Sequence, residues 1–118
     1  MINDAVENPM PPQVVELASG FPVGIGSAGC TCGALTGGVM ALGLAFGRIE
    51  PGRDNANILR LSKDIHDWFK ERYESTCCRV LVKKVKFDDD DHINQCTRIT
   101  VAVAEFVAHL IERESECA

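Results

Sequence analysis

The sequence predicts an all-α fold, a small bundle of about four helices around a buried glycine-rich central helix. Three observations carry that expectation. From Phe21 to Gly47 there is no charged side chain, and within the stretch Cys32, Leu35, Val39, Leu42 and Phe46 recur at steps of three and four. The same spacing returns in Ile58, Leu61, Ile65, Trp68 and Phe69, and again in Ile93, Cys96, Thr100, Val103, Val107 and Leu110. The run Val80 to Phe87 could extend as a strand, but no partner strand is evident.

Each element has its own signals. Residues 1–9 are polar and contain Pro9, so fraying is expected there. Pro11 and Pro12 suit a first helical turn, where a missing N–H costs nothing. Val14, Val15, Leu17 and Ala18 then mark a short helix ending near Gly20. Pro22, Gly24 and Gly26 read as a turn-rich connection into the central helix. That helix carries a second stripe of small residues, Cys30, Ala34, Gly37, Gly38 and Ala41, a face that lets another backbone approach closely. Gly47 closes it and Pro51-Gly52 forbids its continuation.

The next helix is expected to start near Asp54 or Asn55, with Lys63 and Asp67 paired one turn apart on its wet side and His66 on its surface. Cys77-Cys78 begins a turn of helix, followed by an extended loop. Asp88 to Asp91 meet the positive end of the last helix dipole, and the alternating ligands and glycine of a calcium loop are absent. Phe106 and Ile111 flank the last apolar stripe. The tail from Glu112 to Glu116 is charged, and 113–118 is expected to be flexible.

One hundred and eighteen residues make one domain, 1–118, long enough for a core of its own. The net charge of −5 leaves no basic excess for phosphates, which argues against nucleic acid. No leader pattern follows Met1, and the uncharged stretch is too weakly hydrophobic for a membrane helix. A cytoplasmic location is the expectation. Glycine-rich faces pair helices, which is compatible with a homodimer.

Six cysteines are unusual in such a chain. A reducing cytosol disfavours a disulfide scaffold, leaving buried thiols, metal ligands or a redox pair. Cys32 and Cys96 fall on apolar stripes and are expected to point inward. Cys30 and Cys32 lie at a helix N-terminus, where a thiolate is stabilised, and Arg79, Lys83 and Lys84 stand near Cys78. If the central and last helices pack face to face, these cysteines converge with the Cys77-Cys78 corner. Several inward thiols suit iron–sulfur or another thiophilic metal. Adjacent Cys77 and Cys78 rarely both serve one compact site. Zinc has less support, since no C-x-x-C pair occurs. His92 lies one turn from Cys96 and can reach the same place, while Cys117 lies in the charged tail.

The block Cys32-Gly33-Ala34-Leu35-Thr36-Gly37, preceded by Gly20-Phe21, Gly24 and Gly26 and followed by Cys78-Arg79-Val80-Leu81 and Cys96, resembles the redox-active family named for its spaced cysteines, C-GCAxxG-C-C. The resemblance covers roughly residues 11 to 112 of the chain. It is also similar to the cysteine-bearing helical part of split-Soret cytochromes c, although without C-x-x-C-H covalent haem is not expected. The resemblance implies a helical bundle with a redox or metal centre at Cys32, Cys78 and Cys96. The family's first cysteine has no counterpart before Cys30, so a four-thiolate site requires Cys30 as the remaining ligand. The expected function is therefore a redox-active protein that binds a metal or iron–sulfur centre through Cys30, Cys32, Cys78 and Cys96. It would act in electron transfer or sensing with a redox partner protein. Two alternatives stay open: metal-free thiol–disulfide exchange using Cys32 with Cys78 or Cys96, and a helical interaction module whose cysteines are structural.

Overall fold

A computed structural model describes residues 11–47, 56–83 and 89–117, with side chains to residue 114. The expectations for 1–9, Pro51-Gly52, the Asp54 or Asn55 helix start, Lys84 to Asp88 and the Cys117 side chain lie outside that description. Every named element among the described residues is a helix, and no strand is named among them. Pro12–Ala18 forms a 3₁₀ helix, entered from Pro11 in extended conformation. Five further elements follow: α1 (Pro22–Ile25), α2 (Gly33–Phe46), α3 (Ala56–Tyr73), α4 (Cys78–Leu81) and α5 (Asp90–Cys117).

The core lies where α2, α3 and α5 meet. Leu35 and Leu42 of α2, Leu61, Ile65 and Phe69 of α3, and Ile99, Val103, Val107 and Leu110 of α5 are buried in one cluster. The spacing of three and four residues puts each set on one face, so each helix buries a single stripe. At the α2 crossing the small-residue stripe has a definite job. A Cβ on Gly38 would lie 2.8 Å from both Ile65 Cδ1 and Val103 Cγ1, so only hydrogen lets α3 and α5 close over α2 there. Trp68 of α3 stacks on Phe106 of α5, with ring centroids 4.4 Å apart. At the far end Arg60 binds Glu114 at 3.0 Å, tying α3 to α5.

Three details differ from the expectation. Ile99 is buried whereas Ile93 is 52% exposed, because the buried face of α5 steps from Cys96 to Ile99 and Ile93 falls a turn before it. Thr100 is exposed and donates its hydroxyl to the Cys96 carbonyl at 2.8 Å. The backbone of α5 also stays helical through the charged tail to Cys117. Gly47 ends α2 as expected, in extended rather than left-handed conformation (φ −73°), with its N–H on the Gly43 carbonyl.

The connection into α2 is more than a loose turn. Val23, Gly24, Ile25, Gly26 and Ser27 all have positive φ, between 56° and 69°. Left-handed backbone costs a residue with a side chain about 1–2 kcal/mol, and Val23 and Ile25 are β-branched. The run is held by Gly26 N–H to the Gly20 carbonyl, Gly29 N–H to Val23 and Cys30 N–H to Gly24. A Cβ on Gly24 would sit 2.5 Å from the Cys30 nitrogen and 2.8 Å from Cys78 Cβ. The left-handed turn thus brings the chain hard against two cysteine-bearing segments at once.

Candidate functional site

The segment before α2 pairs with the segment before α4. Cys32 N–H donates to the Thr76 carbonyl (2.8 Å) and Cys78 N–H to the Cys30 carbonyl (2.5 Å). These two bonds frame an isolated antiparallel bridge between Thr31 and Cys77. Arg79 N–H on the Gly29 carbonyl extends the pairing by one residue. Both segments then turn into helices. Cys32 is the N-cap of α2, and its carbonyl accepts from Leu35 and Thr36 N–H. Cys77 is the N-cap of α4, so Cys78 is the first residue of that helix.

Packing α5 across α2 adds the third thiol. Cys32, Cys78 and Cys96 line one cavity of about 390 Å³, together with His92 and the apolar wall of Phe21, Val23 and Ala34. Three cysteines from three separate segments therefore line the same cavity, each half-buried. His92, one turn before Cys96, faces it as well. Cys30 does not line this cavity and is exposed, as is Cys77. The helix starts at Gly33, so Cys30 lies on the paired segment ahead of it.

The electrostatics differ from what the neighbouring cations imply. Burial pushes the Cys78 thiol up from its ordinary value, and the negative charge of Cys32 adds to the rise. Burial likewise pushes Cys96 up, with the charges of Cys32 and then Cys78 contributing. Arg79 does not offset this, because its guanidinium turns to the Ala28 carbonyl at 2.9 Å. Lys83 lines a different cavity, beside Glu74 and Arg98. Burial in the cavity therefore favours the protonated thiol at Cys78 and at Cys96.

As ligands for a metal or cluster the donors fit in kind, since thiolates and imidazole suit zinc, iron and copper(I). In spacing they do not. Among the described residues, no group of three or more His, Cys, Asp or Glu side chains is drawn together closely enough to hold a metal ion. Cys30, expected as a fourth ligand, stands outside the cavity. No described helix is long and apolar enough to cross a membrane.

A small helical protein with half-buried, unpaired thiols facing one cavity is the class that fold and site define. A family model described as Putative redox-active protein (C_GCAxxG_C_C) matches residues 1–110, and the chain belongs to that family. No curated protein and no solved structure matches the chain. The resemblance read from Cys32-Gly33-Ala34-Leu35-Thr36-Gly37 and the later cysteines is thus the right family. The sequence put Cys30 among the ligands and left Cys77 open; the structure has both exposed and outside the cavity lining. Their places follow from backbone pairing between segments more than forty residues apart, which leaves no periodic trace.

Proposed function

We propose that the protein is a thiol–disulfide redox protein whose working groups are Cys32, Cys78 and Cys96. The observation that carries this reading is their shared cavity. Cys32 joins Cys78 or Cys96 in a disulfide, releasing two protons and two electrons, and a partner disulfide is reduced to two thiols. Half-burial shields the sulfurs from unspecific oxidation, while the cavity leaves room for side chains to approach. The partner is a protein or small molecule that carries an exchangeable disulfide.

Thiol counting tests it. Reduced protein treated with oxidised glutathione should lose two titratable thiols from the cavity set and regain them with dithiothreitol. Peptide mapping should place the link between Cys32 and either Cys78 or Cys96. An unchanged count, or a link that joins different chains only, overturns the reading.

Donor chemistry supports a second reading, an iron–sulfur or other thiophilic metal centre on Cys32, Cys78 and Cys96 with Cys30 or His92 as a further donor. The spacing of the donors weighs against it, so the first reading is preferred. Elemental analysis of protein prepared without oxygen separates the two. Stoichiometric iron or zinc, with thiols freed on chelation, would replace the disulfide reading with this one.

A further inference from the structure

Of the cysteines whose side chains are described, Cys30 and Cys77 are exposed, and they are not equivalent. The antiparallel bridge pairs Thr31 with Cys77. One residue on, Cys30 stands across from Cys78, whose N–H bonds the Cys30 carbonyl, while the Cys30 N–H goes to the Gly24 carbonyl. Residues opposite each other in an antiparallel pair present their side chains on one face, with Cα atoms about 4.5–5.5 Å apart. That lies within the roughly 4.4–6.8 Å a disulfide spans. Gly24 reports the same convergence, because a Cβ there would meet both the Cys30 nitrogen and Cys78 Cβ. Cys77 faces a threonine and has no thiol across from it. Cys30 therefore lies across the pairing from a cavity cysteine, whereas Cys77 is only its neighbour in sequence, where a bridge would strain the backbone.

We infer that Cys30 is the entry thiol of the redox site, the point at which a disulfide-bearing partner first bonds, and that Cys78 resolves the mixed disulfide inward. This rests on the thiol–disulfide reading above and assigns it an order of events. The Cys30 thiolate attacks one sulfur of the partner disulfide. The partner S–S bond breaks, a mixed disulfide forms at Cys30, and one partner thiol leaves. The Cys78 thiolate then attacks the Cys30 sulfur, the mixed disulfide breaks, Cys30–Cys78 forms, and the second partner thiol leaves. The partner has gained two electrons and two protons, and Cys30 and Cys78 have lost them. Attack of Cys32 on the Cys78 sulfur moves the disulfide into the cavity and returns Cys30 to a thiol, ready for another exchange. Exchange requires access by the attacking sulfur, and only the outer of these thiols offers it to a large partner.

Oxidised glutathione serves as the partner probe, with the full chain quenched in acid at intervals and mapped by fragment-ion sequencing, which distinguishes Cys30 from Cys32. The expected course is a glutathione adduct on Cys30 that appears first, decays into a transient Cys30–Cys78 link, and ends in a Cys32–Cys78 link. C78S should prolong the Cys30 adduct about tenfold, and C30S should slow oxidation of the cavity thiols about tenfold. C77S should leave the course unchanged. A first adduct on Cys77, or C30S protein oxidised as fast as the unaltered chain, overturns the entry role. If the cavity disulfide still forms in either case, the thiol–disulfide reading survives. If no intramolecular disulfide forms at all, both are overturned. Should a variant fail to fold, the time course of the unaltered chain still decides the order.

Discussion

Cys96 shows how much a single residue's chemistry depends on its neighbours. Its place on an apolar stripe already marks it as inward-facing, but a buried cysteine is ordinarily a small hydrophobe. The company of Cys32, Cys78 and His92 around one cavity is what makes it a candidate redox group. Its thiol is pushed up by burial first and by the charges of Cys32 and Cys78 next. A raised thiol stays protonated through the ordinary cysteine range, near 9.0, and alkylating reagents attack only the thiolate. Iodoacetamide should therefore modify Cys96 and Cys78 severalfold more slowly than Cys30 at pH 8, with their rates still climbing above pH 9. Equal rates at all three positions would contradict the burial. Arg79 is the opposite lesson: adjacent in sequence to Cys78, it spends its charge on the Ala28 carbonyl.

Among the elements, α2 carries the most constraint. Its N-terminus presents Cys32, its middle is crossed by α3 and α5 at Gly38, and Gly47 ends it. Replacing Gly38 with alanine would drive a methyl group against Ile65 and Val103. Overpacking of a closed core costs about 1–3 kcal/mol, and chemical denaturation should show a loss of that size. The reactivity of Cys30, set by pairing outside the helix, should hold in the same protein. The left-handed turn from Val23 to Ser27 belongs to this scale too. Its glycines were legible as a turn, whereas positive φ at Val23 and Ile25 was not, because β-branched residues ordinarily avoid it. Tertiary packing overrides that preference here, and the hydrogen bonds from Gly29 and Cys30 hold the chain in place.

At the scale of the molecule, one end holds the cysteine cavity and the other is tied by charge. Arg60 bonds the Glu114 carboxylate and holds it below its usual range, with Arg113 adding to the effect. A lowered carboxylate contributes stability above its unfolded value, near 4.5, and loses that contribution as the pH falls through the folded value. In low salt, E114Q should melt below the unaltered chain at pH 7, and the difference should close as the pH drops below 4.5. High salt should shrink it at any pH, because the pair lies at the surface. A difference that persists in acid would assign the effect to packing instead. The sequence by itself determined the all-α class, the buried stripes of α2 and α3, most of that of α5, and the cysteine family, since helical periodicity and a compact motif are local records. Only the tertiary structure decided which thiols share a cavity, that Arg79 turns away, and that Cys30 stands opposite Cys78. Those relations come from strand-like pairing and helix crossing between distant segments, and the physics of such contacts is written in no single stretch of chain.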